Sequence, residues 1–384
     1  MIERNNHSYS KMWKLLPLLF ILMLQTPFAF AGKGGHKEVK LKTDGPYLFY
    51  TENNQMRSIS VTKDLAIVDS TFRVGEEGYQ FPVLSHKGEY LFDVKWRENV
   101  TRDKDHVKAA KKIFITSDPH GDWKSFSDLL KRNKVVDSNY HWKFGKNQLV
   151  VIGDVFDRGK DVLPIFWLIY KLEEEAAKAG GQVLFLLGNH EPMVLGGDLR
   201  YMKKSYQALS DTLQIPYQKM FGPTSVLGDW LSTKNTMQLI GKNLIVHAGL
   251  SKDLIDKGYQ IPQVNELVSN GLFYPKSIRR KQSEDLKFLY GNKGPIWYRG
   301  MVLEKEKYDP ISSDEVGTVL NYFGADRVIV GHTIFKEISS FFNQRVIAVN
   351  VDNKKNKKKH RSRAILLKRG KIYVISDNHS AKLQ

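Results

Sequence analysis

A chain of 384 residues, 41% hydrophobic and 26% charged, has material for one large domain or two modest ones with a sizeable core. It contains no cysteine, which excludes cysteine-nucleophile enzymes, thiolate zinc sites, Fe–S clusters, disulfides and a lipidated cysteine anchor. Its 59 Lys and Arg against 41 Asp and Glu leave a net +18, which favours acidic partners (phosphorylated substrates, nucleic acid or anionic surfaces) and says nothing about fold.

Residues 1–31 read as a secretory signal peptide. Arg4, Lys11 and Lys14 precede an apolar run from Leu15 to Leu24, and Ala29-Phe30-Ala31 supplies the small-x-small ending. Cleavage after Ala31 removes three Lys/Arg and one Glu, so the remainder keeps +16. The competing reading is an uncleaved anchor, but Pro17 and Pro27 interrupt a stretch already marginal for ~30 Å of hydrocarbon. The expectation is an exported protein, periplasmic or secreted, without a stable membrane anchor after cleavage.

Residues 32–110 form an N-terminal β-rich region: Tyr47 to Tyr50, Arg57 to Thr62 and Glu89 to Lys95 read as short strands between turns, with no helix before Asp105. From residue 111 to 384 the grammar becomes strand–loop–helix. Strands are expected at Lys112 to Thr116, Gln148 to Ile152, Gln182 to Leu187, Leu244 to Val246, Arg327 to Val330, Arg345 to Val349, Ala364 to Lys368 and Lys371 to Ile375. Helices are expected at Asp122 to Arg132, Val162 to Lys178 and Ser313 to Phe323. Apolar strands alternating with helices predict an α/β layered fold with partly parallel strands, functional loops lying at their carboxyl ends.

Polar clusters follow five of these strands. They are Ser117-Asp118-Pro119-His120-Gly121-Asp122, Gly153-Asp154-Val155-Phe156-Asp157-Arg158-Gly159, Gly188-Asn189-His190-Glu191, His247-Ala248-Gly249 and Gly331-His332-Thr333. Any one is a weak signal, since a lone Asp-x-His is more often a capped turn than a metal site. Together they put Asp, His and Asn on tight glycine turns at convergent strand ends, where burial without a cation is costly.

The order of these motifs resembles the calcineurin-like metallophosphoesterases. The Asp-Arg-Gly and Asn-His-Glu spellings are similar to those of the phosphoprotein phosphatase branch. Pro192-Met193-Val194, Gly197 to Tyr201 and Trp297-Tyr298-Arg299-Gly300 resemble the Shewanella-like protein phosphatases. The resemblance implies a β-sandwich flanked by helices and makes residues 111–384 the catalytic domain. It also implies a dinuclear centre. Asp118 and His120 would hold one ion, Asp154 would bridge, and Asn189, His247 and His332 would hold the other, with a water held between the ions as nucleophile. Carboxylate, imidazole and carboxamide ligands without thiolate suit Mn, Fe or Zn. By the same resemblance His190 is the proton donor to the leaving alcohol, Asp157 orients it, and Arg158 and Arg299 bind phosphate.

Ser117 stands where the family usually has glycine, His-Ala-Gly replaces His-Gly-Gly, and Asn350-Val351-Asp352-Asn353 stands in place of a Ser-Ala-Pro-Asn-Tyr loop. The implied function is hydrolysis of phosphorylated proteins or peptides, on phosphotyrosine, phosphoserine/threonine or both. Alternatives are a dinucleoside-polyphosphate or other small phosphoester hydrolase of the same fold, which the Asp of Asp-Arg-Gly disfavours, and a catalytically silent basic binding protein. No aromatic-interleaved basic motif supports nucleic-acid binding. Seven Lys/Arg lie between Lys354 and Arg363. That run reads either as a solvated loop or as a cationic rim of the cleft.

Overall fold

The computed structural model describes residues 40–52, 55–75, 78–377 and 380–383. The signal-peptide segment, residues 1–31, lies outside them.

The chain begins with β1 (Asp44–Tyr50), β2 (Met56–Val61) and β3 (Ile67–Phe72), an antiparallel sheet, then the hairpin β4 (Gln80–Leu84) and β5 (Tyr90–Lys95). Next come β6 (His106–Val107), β7 (Lys112–Ser117), β8 (Gln148–Ile152), β9 (Gln182–Leu186), β10 (Met237–Ile240) and β11 (Asn243–Val246). The last strands are β12 (Arg327–Val330), β13 (Ser339–Phe341), β14 (Val346–Ala348), β15 (Ala364–Lys368), β16 (Lys371–Ile375) and β17 (Ser380–Lys382). One six-stranded sheet runs β17-β16-β15-β7-β8-β9, the other β13-β14-β12-β11-β10-β6. The strands β7, β8 and β9 are mutually parallel, as are β11, β12 and β14.

The two sheets pack face to face, and the alternation of side chains shows how. Ile113, Ile115, Val150, Ile152, Leu184 and Leu186 of one sheet share a core with Ile245, Ile329 and Ile347 of the other. Their neighbours Phe114, Leu149, Val151, Val183 and Phe185 point the other way, into the core built with helix Val162–Lys178. Burial on both faces is why these strands read as continuous apolar runs rather than alternating ones. The expected layered α/β sandwich is therefore what the chain forms.

Helices meet the expected positions closely. Asp122 caps Trp123–Arg132, its side chain accepting from Ser125 N at 3.2 Å. Ser312 and Glu315 form a capping box on Ser313–Phe323, which ends on Gly324 in the left-handed region. The β-rich N-terminal segment packs on helix Val162–Lys178. Phe81 meets Trp167 edge-on at 4.8 Å, Trp167 Nε1 donates to Pro46 O at 3.2 Å, and Arg97 N donates to the Tyr170 hydroxyl at 2.8 Å.

One segment combines features of both sequence readings, with Lys354 on the wall of the cavity that Asp118 and Asp154 line, and adds a helix that neither foresaw. Within the basic run, Asn353–Lys358 is a helix capped by Asp352, whose Oδ1 accepts from Lys355 N at 2.9 Å. Asn356 is buried and donates to Lys336 O and Ser362 O. Arg363 is fully buried, bound to Asp128 at 3.0 Å, Asp377 at 2.5 Å and Ser125 O at 2.9 Å, while Lys357 reaches Asp128 at 2.7 Å. The run is neither wholly solvated nor wholly a free cationic rim, because part of its charge ties this helix to Trp123–Arg132.

Candidate metal centre and active site

The carboxyl ends of β7, β8, β11 and β12 converge, and their turns force unusual backbone. Asp118, His120, Asp154, Asp157, Arg158 and His332 have φ of 50°, 41°, 56°, 69°, 61° and 57°. Left-handed backbone costs a residue with a Cβ about 1–2 kcal/mol, so six such residues in one place are a concentration of strain that packing must hold. Two glycines make the close approach feasible. A Cβ at Gly188 would sit 2.2 Å from Asp154 Oδ1, and one at Gly331 would sit 2.6 Å from Asp118 Oδ2.

Asp154 is the hub. It is 2% exposed; its Oδ1 accepts from His190 N at 2.9 Å, and its Oδ2 faces three imidazole Nε2 atoms: His247 at 3.2 Å, His120 and His190 each at 3.8 Å. Potential ligand atoms of His120, Asp154 and His190 lie within 4.8 Å of one another, as do those of Asp154, His247 and His332. Asp154 thus belongs to both groups. Asn189 joins the second through Oδ1, 3.1 Å from His247 Nε2. Asp118 stands beside it, its Oδ2 accepting from His332 N at 3.1 Å.

The donor set fits metal ions on two observations. His120 Nδ1 lies 2.8 Å from Phe156 O and His247 Nδ1 lies 3.1 Å from Ile152 O. An Nδ1–H donated to a carbonyl leaves Nε2 with its lone pair toward the cluster. Moreover, Asp118 Oδ1 and His332 Nε2 are buried with no hydrogen-bond partner. Orphaned buried acceptors of this kind are expensive unless something fills the space between them.

Charge is strongly perturbed here. Burial lifts Asp118 to about 7 against the pull of His247. Burial, reinforced by neighbouring His190 and only partly offset by Asp154, lowers His120 to about 4. For His247, burial opposes the charge, but Asp154 outweighs it and raises the imidazole to about 9, so an ion held at Nε2 would take the place of that proton. Burial likewise works against a charge on His190, and Asp154 and Asp157 overcome it, holding its pKa above the ordinary value.

His190 Nδ1 lies 2.6 Å from Asp157 Oδ2, both side chains buried, and the ring meets His120 edge-on at 4.7 Å and Tyr201 at 5.4 Å. Arg158 is exposed with its guanidinium 5.8 Å from the Tyr201 ring, and half-buried Arg299 donates to Thr333 Oγ1 at 2.8 Å. Both arginines line a cavity of about 770 Å³ together with Asp118, His120, Asp154, Asn189, His190 and His332. His247 lies fully buried behind it, and Asp157 beneath His190.

A family model for calcineurin-like phosphoesterases matches residues 111–334, which span all of these motifs. The chain belongs to the calcineurin-like phosphoesterase family. A cold-active protein tyrosine phosphatase from a psychrophilic Shewanella species has a crystal structure that superposes on this phosphoesterase with a TM-score of 0.80 and 31% identity, over 89% of this chain and 100% of that one. Shewanella-like protein phosphatase 2 of Arabidopsis thaliana is 26% identical over 63% of this chain and 71% of its own length. Shewanella-like protein phosphatase 1 of Plasmodium berghei is 26% identical over 60% of this chain and 63% of its own length. With this fold and these relatives, the phosphoesterase is a hydrolase of phosphoesters.

Two contributors to the site escaped the sequence reading. Glu191 is fully buried and accepts from three backbone amides: Val155 N at 2.9 Å, Asp154 N at 2.9 Å and Gly188 N at 2.7 Å. It clamps the turn bearing Asp154 to the turn bearing Asn189. Burial, with Asp154 adding to it, raises its pKa. The only sequence signal was its place in Gly-Asn-His-Glu. The second is the pair His86–Asp161, 2.9 Å apart, which joins the N-terminal β layer to the cavity wall. Nothing in the spacing of residues 86 and 161 foretells that contact.

Proposed function

We propose that this phosphoesterase is a dinuclear-metal phosphomonoesterase acting on phosphorylated proteins or peptides, phosphotyrosine among them. Asp118, His120, Asp154, Asn189, His247 and His332 would hold the ions, of Mn, Fe or Zn. When bound, the ions polarise the phosphoryl oxygens and make water a competent nucleophile near neutral pH. The chain's own groups do the rest. Arg158 and Arg299, on the cavity wall, bind the phosphoryl oxygens. As water attacks phosphorus and the P–O bond breaks, His190 Nε2 gives its proton to the departing oxygen, and Asp157 keeps Nδ1–H fixed and stabilises the imidazolium before transfer.

The observation that carries this reading is the contrast between two facing imidazoles. His120, like His247, spends Nδ1 on a backbone carbonyl, which turns Nε2 toward the cluster as a ligand atom. His190 instead spends Nδ1 on the buried Asp157 carboxylate, which stabilises the imidazolium that a proton donor needs. The phosphoprotein class is supported by the names of the Shewanella and Arabidopsis relatives. Export to the periplasm or beyond is part of the proposal and rests on residues 1–31 alone.

The direct test is a panel of phosphotyrosine, phosphoserine and phosphothreonine peptides, with a dinucleoside polyphosphate and an aryl phosphate for comparison. Phosphopeptide turnover with a kcat/KM well above that for the dinucleotide is expected. Turnover of the dinucleotide alone would overturn the phosphoprotein reading, and no turnover of any substrate with metals supplied would overturn the catalytic one.

A further inference from the structure

Beside the catalytic cavity lies a second one of about 720 Å³, and the two share Asn189, Tyr201 and Trp297 as a common wall. Seven cationic side chains and two carboxylates line it. Both carboxylates are already taken: Asp198 pairs with Arg200 at 2.6 Å and Glu284 with Lys287 at 3.1 Å. Lys293 reaches outward to Asp253 and Asp309, at 2.9 and 2.7 Å. That leaves Lys257, Lys276, Arg279 and Arg280 without a carboxylate partner among the described residues.

Arg279 shows that the groove is built rather than incidental. It is 6% exposed, yet its hydrogen bonds go to the carbonyls of Gly271 at 2.9 Å, Pro192 at 2.5 Å and Leu272 at 3.1 Å. With no carboxylate beside it, this guanidinium keeps its positive charge in the cavity wall, held in place by the three carbonyls and the Tyr290 ring. The Pro192 carbonyl belongs to the short helix His190–Leu195, so this cation is anchored to the turn that carries the proposed proton donor.

We propose that this groove binds an acidic stretch of the polypeptide that carries the phosphorylated residue, and so selects phosphopeptides with Asp and Glu beside the phosphate. The proposal rests on the reading of the adjoining cavity as a phosphopeptide site. An acidic peptide fits better than a nucleic acid. Single strands bind through aromatic rings free to stack on bases, and the groove's four rings all have partners: Phe288 stacks on Tyr259 at 5.7 Å, Tyr290 carries the Arg279 guanidinium at 4.3 Å, and Tyr201 and Trp297 stand against His190 and His332 at 5.4 and 5.7 Å. On the opposite rim Lys357 and Arg363 are spent on Asp128, while Lys354 lines the catalytic cavity itself and not this groove.

Lys257, Lys276 and Arg280 are exposed, so replacing all three by Gln leaves the core untouched. Full-length protein and the K257Q/K276Q/R280Q variant are compared on three substrates: an aryl phosphate, a phosphopeptide flanked by Glu, and one flanked by Ser and Ala. Binding of a fluorescein-labelled unphosphorylated Glu-rich peptide is followed in parallel by anisotropy, with an oligonucleotide of equal charge as competitor. The expected result is a KM about tenfold higher for the acidic phosphopeptide only, with kcat and the aryl phosphate unchanged, shrinking as salt passes about 0.15 M. Labelled-peptide binding should weaken in step. A charge-reversed K276E/R280E variant should come to prefer a Lys-flanked peptide. Equal losses on acidic and neutral peptides, unchanged peptide binding, or displacement by the oligonucleotide at far lower concentration than by acidic peptide would each overturn the proposal. If no phosphopeptide is turned over while the Glu-rich peptide still binds and is lost in the variant, the groove stands as an acidic-peptide site and the phosphopeptide reading of the catalytic cavity falls.

Discussion

At the scale of single residues, the site is two layers of side chains. His190 is expected to act on the leaving group alone, because its Nδ1 is held by Asp157 and its Nε2 is aimed toward the cluster. His190→Ala should lower kcat by roughly 10²–10⁴-fold on an alkyl phosphate and by distinctly less on an aryl phosphate, whose better leaving group needs less protonation. Asp157→Asn should show the same leaving-group bias at smaller amplitude. Equal losses on both substrates in steady-state kinetics would remove the proton-donor role. Glu191 acts one layer deeper. Glu191→Gln turns one of its accepting atoms into a donor facing backbone N–H, and loss of that buried bond should cost about 1–3 kcal/mol. Thermal unfolding should register it as a lowered Tm, with metal content reduced alongside; an unchanged Tm would contradict the clamp. The ligand motifs were legible because chemistry requires those residue types on glycine turns. Glu191 stood in Gly-Asn-His-Glu, but its role was not legible, because bonds from a buried carboxylate to backbone amides are not written in side-chain spacing.

At the scale of elements, the strands could be read from their apolar runs, since both faces of each central strand are buried. The helix Asn353–Lys358 could not be, since four lysines and two asparagines present no apolar face. Tertiary contacts fix it instead: the Asp352 cap, buried Asn356, and the bonds of Lys357 and Arg363 to Asp128. Arg363→Ala should cost about 3–5 kcal/mol, because removing one partner strands the buried Asp377 carboxylate. Equilibrium urea unfolding measures this, and a loss under 1 kcal/mol would show the pair to be incidental. Asp128 sets the acid limit of the same junction. Burial works against its charge, but hydrogen bonds from Lys357, Arg132 and Arg363 prevail and hold its pKa down to about 2, from an ordinary 3.8. A depressed carboxylate contributes stability that is present above the unfolded value and lost as pH falls through the folded one. Asp128→Asn should therefore lower stability at pH 7 and flatten the decline between about pH 4 and pH 2. An identical acid profile for the variant would contradict this.

At the scale of the whole molecule, the +18 charge was visible at once but its placement was not. The run after β14 read either as a solvated loop or as a cationic rim; folding spends part of it on a helix–helix contact, leaves Lys354 on the wall of the catalytic cavity, and gathers further cations without carboxylate partners around Lys257 to Arg280. Those residues lie between β11 and β12, Lys257 just past the helix Lys252–Asp256 and the others on the helix Lys276–Gln282, where no motif marks them. The leader read at residues 1–31 gives an independent prediction: protein recovered from the exported fraction should begin at Gly32, and an intact Met1 in that fraction would contradict cleavage. The central claim is that five residues from four strand ends, joined by Asn189 after β9, hold two metal ions on which hydrolysis depends. The measurement that tests it most directly is metal analysis of chelator-stripped protein, titrated with Mn, Fe or Zn, with turnover of a phosphotyrosine peptide followed at each step. Turnover should vanish on stripping and return as bound metal rises to about two ions per chain, and Asp154→Asn should bind and restore little. Full turnover in excess chelator with no metal bound, or full activity in Asp154→Asn, would contradict it.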